Sequence, residues 1–267
     1  MRIIELEDQK IIQLKILQEV ASFCNDNGIR YYLAYGTLLG AVRHKGYIPW
    51  DDDIDIMMPR PDYIKFIKTF NGYSIKSRVV SHLLDSAYPW PFAKVIDTNT
   101  VMEEHIKYAY KEMGVYIDIF PIDGVSADKG KLSRQYQYIK LLKLLLSVKR
   151  GKKFRSRKPW QNFLLNFSSL LSFISYPKLI KRFDTTVSKY GFDESVNTAI
   201  LVMAGYGKNE IIPKNFYDEI VNLNFEGFSF NAPGEYKQWL EHIYGDYMTP
   251  PPPEKRITHH AYIAYYR

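Results

Sequence analysis

Cysteine is almost missing from this chain: 267 residues contain one, Cys24. A single thiol closes no intramolecular disulfide, which fits a reducing compartment. Cys24 lies in an amphipathic helical pattern and is expected to pack in the core, not to act as a nucleophile. Long apolar runs are missing too, since no segment approaches the roughly 18 apolar residues that span a bilayer. Residues 1–25 are charged and helix-patterned, with neither the apolar stretch nor the cleavage site of a signal peptide. Repeats and low-complexity tracts do not occur. These absences predict a cytoplasmic protein, with contact at the inner face of a membrane as its one route to a lipid surface.

Acidic residues are missing from one stretch. Lys149, Arg150, Lys152, Lys153, Arg155, Arg157 and Lys158 carry seven positive charges with no acid among them. The formal net charge is +7, so without that run the rest of the chain is neutral. A domain-wide nucleic-acid surface is therefore not expected, and no nucleic-acid partner is assigned. The run itself is either a solvated loop or a patch that meets an anionic acceptor or a lipid surface.

What is present in abundance is carboxylate in one place. The stretch Tyr35–Ile56 reads YGTLLGAVRHKGYIPWDDDIDI and ends with Asp51, Asp52, Asp53 and Asp55. The strand pattern is expected to run Asp53–Met58, where alternation puts Asp53 and Asp55 on one side and Ile54 and Ile56 in the core. Two carboxylates facing one way repel unless a cation sits between them. Oxygen ligands of this kind suit Mg²⁺ or Mn²⁺, above all when substrate phosphates complete the shell. Upstream, Gly36 lets the backbone approach a phosphate, and Thr37 opens a helix whose first N–H groups are free donors.

Elsewhere, 5–27 is expected to be a helix with Leu6, Ile11, Leu14, Leu17, Ala21 and Cys24 on one face, capped at Asn27-Gly28. Strands are expected at 29–34, 73–80, 92–96, 100–106 and 198–203, and a hairpin at 220–230 turning over Glu226-Gly227. Val115–Phe120 (VYIDIF) places Asp118 in a central strand, where an unpaired carboxylate would be costly. Asp123, after Pro121, is expected to order a loop. Helices are expected at 128–148, 160–175 and 177–190, then at 233–244. The proline-rich tail carries Lys255 and Arg256, the preferred phosphate binders there, and the weaker metal candidates His259 and His260.

The block 31–66 (YYLAYGTLLGAVRHKGYIPWDDDIDIMMPRPDYIKF) resembles the LicD family of phosphotransferases, to which the fukutin-related proteins also belong. GVYIDIFPIDG at 114–124 and YGDYMTPPPPEKRITHH at 244–260 match as well. The resemblance implies an α+β fold, with a nucleotidyltransferase-like mixed sheet, flanking helices and an inserted helical block. On that basis 1–127 forms the catalytic core, 128–195 the helical insertion with its basic segment, and 196–267 completes the core. It also implies a third carboxylate, Asp118, beside Asp53 and Asp55, and CDP-choline as donor of phosphocholine to an anionic or lipid-linked cell-surface glycan.

The expected chemistry is phosphoryl transfer. Asp53, Asp55 and Asp118 would hold one or two Mg²⁺ (or Mn²⁺) ions, and a carboxylate or the metal would take the acceptor's proton. Gly36, Thr37, Arg43, His44, Trp50, Lys94, Lys255 and Arg256 are the candidate substrate contacts. Tyr31, Tyr32, Tyr35, Tyr47, Trp50, Tyr88 and Trp90 bracket the site, and aromatic faces recognise quaternary ammonium, although most of these are expected to be ordinary core. Three alternatives remain open: transfer of ribitol or glycerol phosphate, a glycan- or nucleic-acid-binding protein with a structural Asp cluster, and a sugar-nucleotide glycosyltransferase.

Overall fold

The computed structural model describes residues 2–103, 109–150, 174–203, 207–256 and 263–267. Helix α1 (Leu6–Asn27) ends at Gly28, whose φ of 59° is the left-handed cap that glycine adopts without strain. Leu17, Ala21 and Cys24 of the expected face are buried and Leu14 is half-buried, but the buried arc extends further to the other side. Ile12, Ile16, Val20 and Phe23 are buried together with Gln9 and Gln13, whereas Leu6 and Ile11 are exposed. Counting apolar residues alone rotated the face toward Ile11. The true arc is centred on positions 9, 13, 16 and 20, and so includes two glutamines.

A two-residue strand, β1 (Tyr32–Leu33), runs into α2 (Tyr35–Arg43). The sharp entry puts Tyr35 at φ 40°, in the left-handed region. Next come β2 (Asp55–Pro59), α3 (Arg60–Thr69, with Pro61 in its first turn), β3 (Ser77–Val80), β4 (Ala93–Asp97), β5 (Thr100–Glu103) and β6 (Tyr116–Val125). The main sheet has the order β1-β2-β6-β4-β3. β2 and β6 are parallel and the other pairs are antiparallel. Helices α1 and α3 lie side by side, with Phe23 edge-on to Phe66 and Phe70.

β6 is the spine, and it does not stop at Pro121 as its sequence suggests. The Asp118 N–H donates to Ile54 O of the β2 side, so the alternate positions 119 and 121 face the other way. On that other side β4 ends opposite Ile119, and β7 (Asn197–Ala199) begins opposite Asp123. The missing N–H of Pro121 thus falls in the gap between two partners, where a proline costs no ladder bond. Asp123 is accordingly not a loop residue. It is fully buried in β6 and bonded by both arms of Arg60 from α3 (2.7 and 2.6 Å).

The helical block gives α4 (Lys129–Arg150) and α5 (Tyr176–Val187). Asp184 of α5 accepts from Arg60 (3.1 Å), with His82 Nε2 3.7 Å away on its other side. Burial would raise the Asp184 pKa, but the nearby His82 and the Arg60 guanidinium outweigh it and hold the carboxyl below its ordinary range. This network ties α5 to the sheet. The strand expected at 198–203 shortens to β7, which pairs with β8 (Ile212–Pro213). β9 (Ile220–Phe225) and β10 (Phe228–Pro233) form the expected hairpin, with Glu226 and Gly227 at φ 52° and 82°. Helix α6 (Tyr236–Tyr244) follows, and β11 (Ile263–Tyr266) pairs with β5. Residues 160–173 of the helix expected at 160–175, the run 151–158, residues 104–106 and His259-His260 lie outside the described residues. Among the described residues no helix is long and apolar enough to cross a membrane.

Candidate active site

Strand register builds the first part of the site. Asp55 on β2 is the partner of Asp118 on β6, and Asp118 is the partner of Lys94 on β4. Directly paired residues share a face, so Asp55, Asp118 and Lys94 stand in a row across three adjacent strands. All three are buried, with Lys94 only 3% exposed. The Lys94 ammonium donates to Asp118 Oδ1 and lies 3.4 Å from the centroid of the Tyr116 ring, with Trp90 and Phe92 each 5.4 Å away. Lys94 therefore acts on a carboxylate from inside an aromatic box. Burial, then the charges of Asp53, Asp118 and Asp51, push the Asp55 carboxyl well above the ordinary carboxylate range, with Lys94 partly opposing.

The second part is the loop before β2. Carboxylate oxygens of Asp51, Asp52 and Asp53 lie within 4.8 Å of one another. The strand starts at Asp55, so Asp53 belongs to this loop and not to the strand. Two side chains from α1 hold the loop: Gln9 and Gln13 donate to the Asp52 carbonyl at 3.2 and 3.0 Å. Tyr47 OH in turn donates to Gln13 Oε1 (3.1 Å). Sequence reading passed over these glutamines. Their signal is a pair of amides four apart on a face that is otherwise apolar.

Thr37 and Gly36 join α2 to this loop. The Thr37 hydroxyl is buried and accepts the Asp55 N–H at 2.8 Å. A Cβ on Gly36 would stand 2.5 Å from Asp51 Oδ2, so a side chain here would push the Asp51 carboxylate aside. The N–H groups of the first turn of α2 have no partner within the helix.

A cationic and aromatic cluster forms around Trp50, the residue before Asp51. Arg43 donates to His44 Nε2 (2.9 Å) and to Tyr247 O (2.9 Å). The Arg256 guanidinium lies 5.2 Å from the Trp50 ring centroid, and His44 stands edge-on to the same ring at 6.4 Å. Burial and then the neighbouring Arg256 charge lower the Arg43 pKa, while burial and Arg43 lower that of His44, leaving a neutral acceptor. Four of the candidates, Arg43, His44, Trp50 and Arg256, are thus brought together from distant parts of the chain. Lys255 is exposed beside Arg256. Of the bracketing aromatics, Tyr31, Tyr32, Tyr35 and Tyr88 are core residues, leaving Tyr47, Trp50 and Trp90 half-buried. Lys149, expected in an outward-facing basic run, is buried with its ammonium on the Ile174 carbonyl. The Cys24 thiol is buried, and burial holds it neutral.

Comparison with known proteins places this geometry. Residues 28–140 match the family model described as "LicD/FKTN/FKRP, nucleotidyltransferase domain". The chain is 30% identical over 273 residues to a Haemophilus influenzae protein named lipopolysaccharide cholinephosphotransferase LicD, covering 99% of each. An uncharacterized protein of Rickettsia typhi is 29% identical over 158 residues, 49% of this chain and 48% of its own. An uncharacterized protein of Rickettsia prowazekii is 32% identical over 96 residues, 36% of this chain and 35% of its own. The family block contains Asp51–Asp55, Lys94 and Asp118, and the full-length match extends over the tail that brings Arg256 to Trp50. This chain belongs to the LicD family.

Proposed function

We propose that this protein transfers phosphocholine from CDP-choline to a hydroxyl of a cell-surface glycan, of lipopolysaccharide or teichoic-acid type, and releases CMP. The observation that carries the reading is the Asp55–Asp118–Lys94 row, whose Asp55 feels the charges of Asp53 and Asp51 from the loop before β2. The name of the Haemophilus relative supports the choice of phosphocholine and of a lipopolysaccharide acceptor. The mixed sheet serves as a nucleotidyltransferase-like platform in this reading.

The donor set fits a hard divalent cation, because it is all oxygen, and because burial and then the charges of neighbouring carboxylates raise Asp55. Asp53, Asp55 and Asp118 would hold Mg²⁺ or Mn²⁺. When bound, the ion supplies charge neutralisation of the diphosphate and polarisation of its scissile bond. The protein's own groups do the rest. Arg43 and Arg256 repel each other, so an anion between them relieves both and binds the diphosphate, with Lys255 at its outer edge. First-turn N–H groups at Gly36 and Thr37 donate to phosphate oxygens. Trp50, whose face already accepts a guanidinium, offers that face to the donor. A carboxylate of the cluster takes the proton from the attacking hydroxyl.

The test is CMP release from four donors at equal concentration with Mg²⁺ and a glycan acceptor. CDP-choline should be used at least about tenfold better than CDP-ethanolamine, equivalent to about 1.4 kcal/mol, since each N–H gained by ethanolamine has no acceptor against an aromatic face. CDP-ribitol and CDP-glycerol should be poorer still. A preference for either of these would move the protein to another phospho-alcohol, and no CMP from any of the four, with nucleoside diphosphate released from a sugar nucleotide instead, would make it a glycosyltransferase.

A further inference from the structure

The helical block contains a second concave site, away from the carboxylates. A cavity of about 660 Å³ opens between the first half of α4 and the second half of α5. Lys131 and Arg134 line it from α4, Arg182 from α5, and Lys189 from the turn after α5. No lining residue is acidic. Helix α4 contains no acid at all, and the single acid of α5, Asp184, is consumed by Arg60. None of the four cations is in an ion pair with a described carboxylate. Asp128, at the start of α4, accepts from the Lys131 N–H (2.9 Å), and its charge reaches Lys131 and Arg134 from solvent.

The walls are polar and aromatic between the cations. Arg182 Nε donates to Tyr138 OH (3.2 Å), Lys189 lies 5.5 Å from the Tyr190 ring centroid, and Thr185 and Thr186 complete the lining. Gln135 pins one helix to the other by donating to Thr186 O (2.8 Å). Its Oε1 is buried without a hydrogen-bond partner, although the residue lines the cavity and is only 9% exposed. Four unpaired cations favour an anion, and an acceptor without a donor favours a ligand that also carries a hydroxyl.

We infer that the α4–α5 groove binds a phosphorylated sugar. Tyr190 bridges to Gly124 on β6, six residues beyond Asp118. At about 3.3 Å per strand residue this puts the groove on the order of 20 Å from the carboxylates. A sugar phosphate held there is not the reacting group. It is a remote part of a longer acceptor, which rests on the reading that the acceptor is a glycan. The groove then selects glycans that carry phosphate several sugars away from the hydroxyl to be modified.

The experiment titrates the isotope-labelled full chain with glucose 6-phosphate, glucose and inorganic phosphate, following the amides of Gln135, Thr185 and Thr186. Glucose 6-phosphate should shift these amides, inorganic phosphate should do so more weakly, and glucose should not. R134Q/R182Q should weaken glucose 6-phosphate at least tenfold, R134K/R182K less, and higher salt should weaken it further. Equal binding of glucose, equal binding of inorganic phosphate, or an unaffected R134Q/R182Q would each overturn the inference. Vesicles with and without phosphatidylglycerol form a separate arm. Loss of vesicle binding in R134Q/R182Q with glucose 6-phosphate unaffected would reassign the groove to a lipid surface. CDP-choline binding is measured on the same samples. If wild type binds glucose 6-phosphate but not CDP-choline, the proposed donor fails and the groove stands.

Discussion

Replacing Lys94 with Met is the sharpest test of the carboxylate row. Met keeps most of the apolar stem inside the box of Trp90, Phe92 and Tyr116 and removes only the ammonium. Asp118 then loses its cationic partner while Asp55 stays beside it on the neighbouring strand. Breaking a buried ion pair from one side costs about 3–5 kcal/mol. A carboxyl so exposed to repulsion takes up a proton, which limits the loss. The expected destabilisation at pH 7 in EDTA is therefore near the lower end, about 3 kcal/mol, or roughly 6–12 °C in Tm for a chain of this size. Adding Asp118→Asn should return most of it, with a coupling on the order of 2 kcal/mol in the double-mutant cycle. Mg²⁺ should raise the Tm of Lys94→Met more than that of wild type, because it restores the missing positive charge. Urea denaturation followed by circular dichroism reads all of this. A single variant within 1 kcal/mol of wild type, or strictly additive effects, would refute the row as the place where these charges are balanced.

Asp55→Asn should abolish turnover yet leave the EDTA-treated protein as stable as wild type or more so, since it relieves repulsion; retained activity, or a collapse in Tm, would contradict the site as drawn. The raised Asp55 pKa fixes the sign of a pH effect. The folded state binds a proton that the unfolded state has lost, so metal-free stability is fully present below the ordinary carboxylate pKa of about 4 and falls as pH rises through the Asp55 value. Metal binding must displace that proton, and calorimetry in two buffers of different ionisation enthalpy should show proton release. Gln13→Leu keeps the bulk but removes a donor from the Asp52 carbonyl, which should cost about 1–2 kcal/mol and raise the KM for the donor. Unchanged stability and KM would mean that Gln9 alone holds the loop.

What was legible in the sequence followed range. Asp51–Asp55 stand within five residues, and Asp118 announces itself as a charge in an apolar strand, so both were visible locally. That Lys94 completes their row is a matter of register between β4 and β6, which no local pattern encodes. Arg43, His44, Trp50 and Arg256 were each singled out, yet their meeting depends on where the tail folds back. Asp123 was misplaced because Pro121 is a loop signal everywhere except at a change of strand partners. The groove was hidden by arithmetic: outside 149–158 the chain sums to zero, and the sum conceals a helix pair whose acids are absent or already spent. Gln9 and Gln13 were missed because a polar residue on a buried face is scored against that face until its partner is seen.

Pro121, paired with Met58 on β2, lies outside the charged row but acts as a stop on the sliding of the strands beside it. β4 cannot creep along β6 toward the C-terminus, because the next rung would need the N–H that proline lacks, and β7 meets the same barrier from the other end. A slip of one residue would turn Lys94 to the opposite face of the sheet, away from Asp118. An imino acid three residues from Asp118 thereby works as a ruler, and exchanging it for a residue with an N–H would loosen the alignment of charges without altering one of them.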